Sequence, residues 1–323
     1  MKMKAVIQRE FGSADVLACE EIEIPVIRPN EVLIKLAYTS VNFADIKKRK
    51  GTKGAGSFPM VLGLDAAGAI ETAPADSTFK PGDRVIAFPR SGSYAEYAAA
   101  NESLVFKIPD DLPFEQAAAM PTVAILAHIL LHEIGQVEKS HTIVVHSAGG
   151  GAGSMLVMLA RIAGISKIIG TAGSLDKESY IKRLGAHSVY TYETFTQGVW
   201  RETDGKGADI IFDSVAGEVT AGSLECLAHY GTLVQFGNSS GQIGTFRTSD
   251  VHSSCRNIKG FSLGTTRKLH PEKLAAAAEA VIKLFASQQI YLPIARIFEL
   301  CEAADAHRLI ENRSYTGKVL LKM

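Results

Sequence analysis

Cysteine is scarce and scattered in this chain. The four, Cys19, Cys226, Cys255 and Cys301, include no C-x-x-C pair. That pattern indicates neither a clustered zinc lobe nor a disulfide framework, and it suits a reducing compartment. Charge of one sign is not in excess either: 34 Lys and Arg balance 34 Asp and Glu, which argues against a polyanion-binding protein and so against nucleic acid as a partner. No run reaches the roughly 18 apolar residues that a membrane span requires, and Met1 to Glu10 hold no long apolar core of a signal peptide. A soluble, cytoplasmic protein with no membrane partner is expected. Internal repeats and low-complexity tracts are lacking too. What remains is 323 residues, 46% hydrophobic, enough to bury a core in each of two domains.

The most informative stretch runs from His141 to Gly164. Its β-branched Ile143-Val144-Val145 suits a buried parallel strand. Ser147-Ala148-Gly149-Gly150-Gly151-Ala152-Gly153 follows, and then the apolar run from Ser154 predicts a helix. Strand, glycine turn and helix in succession make the phosphate cradle of a dinucleotide site. Glycine lets the backbone approach a pyrophosphate, and the helix start presents free N–H groups and a positive dipole end. Ala148, Gly150 and Gly153 take the three positions of a variant G-x-G-x-x-G motif, with Gly151 between them. A Walker loop is excluded because no Gly-Lys-Ser/Thr follows the glycines.

Around this unit the chain changes character. Residues 1 to about 120 read as β-rich, with strand candidates Val32–Ala37 and Ala66–Glu71 and a Pro81-Gly82 turn suited to φ > 0 at its second corner. Helical composition begins at Glu115–Met120 and Thr122–Glu133. Beyond the glycine turn, strands Lys167–Thr171, Ala208–Asp213 and Thr232–Gly237 alternate with helices at Tyr180–Leu184 and Leu224–His229. Further candidates are a strand at Ile258–Ser262 and a helix over Pro271–Ser287. The chain then ends in strands Ile294–Phe298 and Gly317–Lys322 around a helix over Ala303–Glu311, which look like a return to the first domain. Such alternation predicts an α/β fold with a Rossmann-type doubly wound parallel sheet.

An acid that binds the ribose 2′-hydroxyl of NAD is expected roughly 20 residues past the glycines. Here the second strand ends in Thr171-Ala172-Gly173-Ser174, and the first acid, Asp176, stands beside Lys177. No carboxylate repels a 2′-phosphate, and Ser174 and Lys177 can bind one, so NADPH is favoured. The competing reading makes Ser174 a helix cap and Lys177 a solvated residue. Gly237-Asn238-Ser239-Ser240-Gly241 matches the G-x-S-x-G nucleophile elbow, but that elbow needs a helix directly after it. Gln242–Ser249 is polar and glycine-interrupted, so a hydrolase is set aside.

Together, Val41-Asn-Phe-Ala-Asp45, Gly63-Leu-Asp-Ala-Ala-Gly68, Pro81-Gly-Asp-Arg-Val85, Gly92-Ser-Tyr-Ala-Glu-Tyr97, the glycine turn, Gly170-Thr-Ala-Gly-Ser174 and Phe236-Gly-Asn-Ser-Ser-Gly241 resemble the zinc-free quinone oxidoreductase family of the medium-chain dehydrogenase/reductase superfamily. The resemblance spans essentially the whole chain. It implies a GroES-like catalytic domain over 1–122, completed by 288–323, with the Rossmann domain inserted at 123–287. Zinc-dependent relatives carry a Cys near Asn42 to Asp45 and Gly-His-Glu where Gly63-Leu64-Asp65 stands. Leucine cannot ligate zinc, so no metal site is expected.

The resemblance further implies that Asn42 orients the nicotinamide or the acceptor carbonyl, with Asp45 and Thr122 as the other catalytic candidates. Ala148, Gly150, Gly151, Gly153, Gly173, Ser174, Lys177 and Tyr192 would hold the phosphates, and Phe236, Gly237, Asn238 and Ser239 the rest of the cofactor. Plainer readings stand beside these: Asn42 and Asp45 as turn and helix-start residues, Tyr192 as a half-buried strand tyrosine, and His146 as a packed structural histidine. Lys47-Lys-Arg-Lys50 reads as a solvated face or a dock for a phosphate-bearing substrate. Hydride transfer from NADPH to a quinone is the first functional expectation. Reduction of an enoyl thioester or enone C=C bond is the second, and a non-catalytic NADPH-binding protein the third. A homodimer is implied by the resemblance, through the strand candidate Ile258 to Leu263.

Overall fold

The computed structural model describes residues 1–54, 56–313 and 315–323. The chain divides into two compact units, residues 1–125 with 266–323 and residues 126–265. The return to the first unit was expected after 287, whereas the division falls at 265/266. Helix α10 (Ala275–Ala286) therefore belongs to the first unit, where it packs against residues 121–125. Its apolar face of Ala277, Ala278, Val281, Ile282 and Phe285 is buried. Amphipathic composition shows that such a face is covered but not by which core.

The second unit holds six strands: β9 (Thr142–Val145), β10 (Lys167–Ala172), β11 (Ser188–Thr191), β12 (Ala208–Asp213), β13 (Leu227–Gln235) and β14 (Asn257–Gly260). Their spatial order, β11-β10-β9-β12-β13-β14, is parallel throughout and places the first strand at the centre. This is the doubly wound arrangement that the alternation predicted. Val144, Ile169, Ile211 and Leu233 are wholly buried in one of its cores. Helices α4 (Gly151–Ile162), α5 (Glu178–Leu184), α6 (Phe195–Glu202) and α7 (Glu218–Glu225) connect the strands. The expected helix over Leu224–His229 is corrected: α7 ends at Glu225 and β13 has begun by Leu227, which pairs with Ala208. The strand expected from Ile258 ends at Gly260, and helix α9 (Leu263–Leu269) follows.

In the first unit, β1 (Lys2–Gln8), β2 (Leu17–Glu23) and β4 (Met60–Val61) form a small antiparallel sheet. A larger one joins β3 (Glu31–Val41), β5 (Ala66–Thr72), β6 (Arg84–Ala87), β7 (Tyr97–Asn101), β8 (Val105–Lys107), β15 (Ile294–Glu299) and β16 (Lys318–Lys322). The last strand of the chain lies between β15 and β3. At the predicted turn, Gly82 has φ +91° and Asp83 N–H donates to Lys80 O at 3.0 Å, as glycine at the second corner requires. Helices α1 (Phe43–Arg49), α2 (Phe114–Ala119) and α11 (Ala303–Glu311) cover this unit.

One cysteine expectation fails. Cys19 on β2 and Cys301 just before α11 form a disulfide, with Cα atoms 5.2 Å apart and a sequence separation of 282. No spacing rule reaches that far, and the compositional case for a reducing compartment loses its basis. Among the described residues, no helix is long and apolar enough to cross a membrane.

Candidate active site

In the second unit the chain leaves β9 through a tight turn tied to both neighbouring strands. His146 N–H donates to Phe212 O at 3.0 Å and Ala148 N–H to Thr171 O at 2.9 Å. The next helix begins at Gly151, earlier than the sequence indicated. Its first bond runs from Ser154 N–H to Gly150 O at 2.8 Å, so the N–H groups of Gly151, Ala152 and Gly153 have no partner inside the helix. A Cβ on Gly153 would stand 2.2 Å from Ser147 O, so only glycine lets α4 start this close to the turn. Free amides at a helix start behind a strand fit the pyrophosphate of a dinucleotide.

Beyond the end of β10, Ser174 Oγ accepts from Asp176 N–H at 3.2 Å and so caps the short 3₁₀ turn Leu175–Lys177. The capping alternative therefore holds for Ser174. Lys177 is not remote from the glycines: its Cδ comes within 3.1 Å of where a Cβ on Gly149 would be, and the Tyr192 ring within 3.8 Å of one on Gly173. Gly173, Ser174, Lys177 and Tyr192 thus gather beside the turn, with no carboxylate at the end of β10. His146 is a packed residue, as its plainer reading had it. Ser223 donates to Val219 O, so its oxygen accepts from His146 Nε2 at 2.8 Å, and Nδ1 then accepts from Thr171 at 2.8 Å. Burial pushes its pKa down to about 4.

The segment Phe236–Ser239 closes onto the loop after β12. Phe236 N–H donates to Asp213 O and Ser239 N–H to Ser214 O, both at 2.9 Å. Asp213 organises that loop by accepting from Val215 N–H at 2.7 Å, Ala216 N–H at 3.0 Å and Thr220 Oγ1 at 2.8 Å. No helix begins until Ser249, so the geometry of a nucleophile elbow is missing.

The first unit holds a buried polar cluster centred on Asp65, in the turn that precedes β5. Its Oδ2 accepts from Ser40 Oγ at 2.5 Å and Asn42 Nδ2 at 2.7 Å. Its Oδ1 accepts from Thr122 N–H at 2.9 Å and Thr122 Oγ1 at 2.5 Å. The Asn42 amide is engaged at both ends, because Lys318 Nζ donates to its Oδ1 at 2.8 Å. Asp45 Oδ2 accepts the Asn42 backbone N–H at 2.9 Å, so Asp45 secures the start of α1. Asn42, Asp45, Asp65 and Lys318 are all buried. Burial raises the Asp45 pKa to about 6, with the Asp65 charge adding to the rise. Burial lowers that of Lys318, opposed by both carboxylates. Arg267 lies within their electrostatic reach, lowered by burial, with its guanidinium 4.7 Å from the centre of the Phe88 ring.

The sequence candidates Asn42, Asp45 and Thr122 are therefore brought together, but through Asp65, which the sequence offers only as the neighbour of Leu64, the residue in place of a zinc ligand. The signal for Asp65 is present: a carboxylate directly after Leu64, in the Gly63-Leu64-Asp65 segment where zinc-dependent relatives carry Gly-His-Glu. Lys318 is part of the expected last strand, and it is buried at the head of the apolar run Val319-Leu320-Leu321. The basic run Lys47 to Lys50 is not one solvated face. Arg49 is fully buried and pairs with Glu311 at 2.9 Å, and Lys50 pairs with the same carboxylate at 2.5 Å. Among the described residues, no group of three or more His, Cys, Asp or Glu is placed to hold a metal ion.

Comparison with known proteins matches residues 28–110 to the alcohol dehydrogenase GroES-like domain family and residues 151–283 to the zinc-binding dehydrogenase family. A probable quinone oxidoreductase of Schizosaccharomyces pombe is 33% identical over 312 residues, covering 96% of this chain and 94% of the relative. Among solved structures, Escherichia coli quinone oxidoreductase complexed with NADPH aligns with a TM-score of 0.92 at 27% identity, over 99% of this chain and 100% of that one. A mycobacterial protein complexed with NADPH aligns with a TM-score of 0.91 at 30% identity and the same coverage.

Proposed function

The chain belongs to the quinone oxidoreductase family of the medium-chain dehydrogenase/reductase superfamily, and on that premise we propose that it is an NADPH-dependent reductase whose acceptor is a quinone, acting without a metal. The observation that carries the cofactor half is the gathering of Lys177, Tyr192 and Ser174 beside a glycine turn with no competing carboxylate. Bound NADPH supplies the hydride. The residues of the chain bind and position. Amides of Gly151 and Gly153 hold the pyrophosphate, while Ala148 and Gly150, whose own N–H groups are spent on Thr171 O and Ser147 O, bring the backbone close to it. Lys177 and Tyr192, with Gly173 giving backbone access, take the 2′-phosphate, and Phe236, Gly237, Asn238 and Ser239 line the carboxyl ends of the strands, where open α/β sheets bind ligands.

In the other unit, Thr122 serves the acceptor end. Its hydroxyl proton is committed to Asp65, so its oxygen presents lone pairs to a donor. Asn42 and Asp45 act as the frame that fixes it, because the Asn42 amide is spent on Lys318 and Asp65 and Asp45 Oδ2 on the Asn42 backbone N–H. A quinone acceptor suits such a site, since its ring delocalises the incoming charge and needs little acid assistance. NADPH oxidation assayed in parallel with a quinone panel and an enoyl-thioester and enone panel, in a strong chelator, tests the reading. Turnover of quinones alone supports it; turnover confined to conjugated C=C bonds moves the activity to the alkene class, and binding of NADPH without any turnover makes the protein a cofactor-binding module.

We also infer a homodimer built through β14, which ends the order of the six-stranded sheet. A sheet edge invites pairing, and a two-fold contact satisfies the same backbone groups on both copies. Light scattering at micromolar concentration decides it, and a monomer would remove the dimer from the reading.

A further inference from the structure

The Cys19–Cys301 disulfide and one buried guanidinium join the same two elements of the first unit, and the proposed reaction uses neither. Cys19 on β2 and Cys301 in the 3₁₀ turn Leu300–Glu302 are both exposed. β2 is a rim strand, since its sheet runs β2-β1-β4. Arg49, the last residue of α1, spans the same pair of elements from inside. Its Nε donates to Gly12 O at 3.2 Å, in the segment that leads through the 3₁₀ turn Ala14–Val16 into β2. Its Nη2 donates to Glu311 Oε1 at 2.9 Å. Its Nη1 donates to His307 Nδ1 at 3.2 Å, because a guanidinium has no acceptor. Both of those partners are on α11, which follows directly after Cys301 and Glu302.

Neither end needs the bridge in order to stay docked. β2 pairs with β1 along its whole length, Leu17 to Glu23. α11 buries Ala303, Ala306, His307 and Ile310, its Ala303, Ala306 and Ile310 share a core with Val41 and Ile46, and its Arg308 pairs with Asp15. Opening the bridge therefore frees the turn before α11 without dissolving the core. What is lost is the fixed start of α11, and with it the order of the helix that offers His307 and Glu311 to Arg49. A buried guanidinium depends on such acceptors, so the change reaches α1, whose other end is capped by Asn42.

We propose that Cys19 and Cys301 form a reversible thiol–disulfide exchange site, open to an external dithiol, and that its state is transmitted through α11 and Arg49 to the Asn42 end of α1. Exposure of both cysteines lets a thiolate approach, which a buried bridge forbids. A thiolate of the dithiol attacks one sulfur of the bridge; the S–S bond breaks, and the other cysteine leaves with the electron pair and takes up a proton. The second thiol of the reductant then displaces the first cysteine. The protein ends with two thiols and the reductant as a disulfide, so electrons and protons balance. The closed bridge holds α11 and the Asn42 frame in one arrangement, and the open one loosens both.

The test is hydrogen exchange read by mass spectrometry on the full-length protein, equilibrated without denaturant in reduced or in oxidised dithiothreitol. Alkylation of the native protein should modify Cys255, the exposed free thiol, in the oxidised buffer, and Cys19 and Cys301 as well in the reduced one, with full return on reoxidation. On reduction, amide exchange over residues 300–311 and 43–49 should rise about tenfold while residues 126–265 stay unchanged. The double variant Cys19→Ser, Cys301→Ser should show the faster exchange in both buffers. A bridge that the dithiol does not open in the native protein, or exchange over 43–49 that is the same in both states, overturns the proposal. Unfolding of the first unit on reduction, or a double variant that does not fold, also overturns it and makes the bridge a structural staple. The proposal rests on the reductase reading only for its link to turnover. In an active preparation freed of dithiothreitol, kcat falls with the open bridge and recovers with the closed one, whereas loss of activity in every assay leaves the exchange result standing and counts against the reductase alone.

Discussion

The buried ammonium of Lys318 donates to the side-chain carbonyl of Asn42 at 2.8 Å, tying the last strand of the chain to the first turn of α1. Lys318 also lies within electrostatic reach of Asp45 and Asp65. Asn42 therefore joins a buried cation to two buried carboxylates, through its side-chain amide to Lys318 and Asp65 and through its backbone N–H to Asp45.

Replacing Asn42 by Ala leaves the Lys318 ammonium without its hydrogen-bond acceptor and Asp65 short of a donor. A buried polar group stripped of its partner costs about 1–3 kcal/mol, more when charged. Asn42→Ala should lower the melting temperature and reduce kcat together, with NADPH affinity little changed because the residues proposed to hold the phosphates are in the other unit. Scanning calorimetry beside steady-state kinetics checks this. Full stability with normal turnover would make Asn42 a simple turn residue.

Lys177→Ala should weaken NADPH binding and leave NADH binding nearly unchanged. A charge-assisted phosphate contact is worth roughly 1.5–3 kcal/mol, or about one to two decades in affinity. Fluorescence titration with both cofactors measures it. Equal affinity of the unaltered protein for the two would refute the 2′-phosphate assignment.

Stability should fall as the solution is acidified from pH 7 to 5. His146 and His307 are neutral inside the fold, pushed down to about 4 and about 3 by burial, whereas the unfolded chain protonates them near 6.5. Their contribution is complete above that value and is lost as pH falls toward the folded values. Asp45 works the other way: raised to about 6, it costs stability at neutral pH, and acid relieves that cost. Two histidines outweigh one aspartate, for a net loss on the order of 2 kcal/mol at pH 5. Thermal melts across the interval would show it, and a protein more stable at pH 5 than at pH 7 would refute the sign.

The Cys19–Cys301 bridge encloses most of the chain, so reduction should destabilise the first unit by roughly 2–4 kcal/mol. Dithiothreitol should lower the melting temperature of the unaltered protein and leave that of Cys19→Ser unmoved. Identical melts with and without reductant would show that the bridge contributes nothing.

How much of this was legible in the residues follows from the range of each interaction. The βα unit from Ile143 to Gly153 is local, its strand, turn and helix start each written in consecutive residues, and it stands as expected to within a few positions. Leu224–His229 misled because Leu224, Leu227 and Ala228 suit a helix or a strand, and pairing of Leu227 with Ala208 decided it. The Asp65 cluster draws on positions 40, 42, 65, 122 and 318, and the disulfide on 19 and 301. Neither leaves a spacing that periodicity can detect. Resemblance supplied Asn42, Asp45 and Thr122, while Lys318 became visible only once the strands were in register.

Of the strands described, β16 is synthesised after all the others, and yet it lies between β15 and β3, not at a rim. Synthesis of the second unit, a continuous segment, is finished well before that moment, so it can collapse on its own during translation. The first unit cannot. Until Lys318 is released, Asn42 and the two carboxylates lack their cation and β3 lacks a neighbour along Tyr38 to Val41, which leaves the nascent first unit dependent on whatever shields an open sheet edge. Protease treatment of chains stalled before residue 318 should accordingly spare residues 126–265 alone.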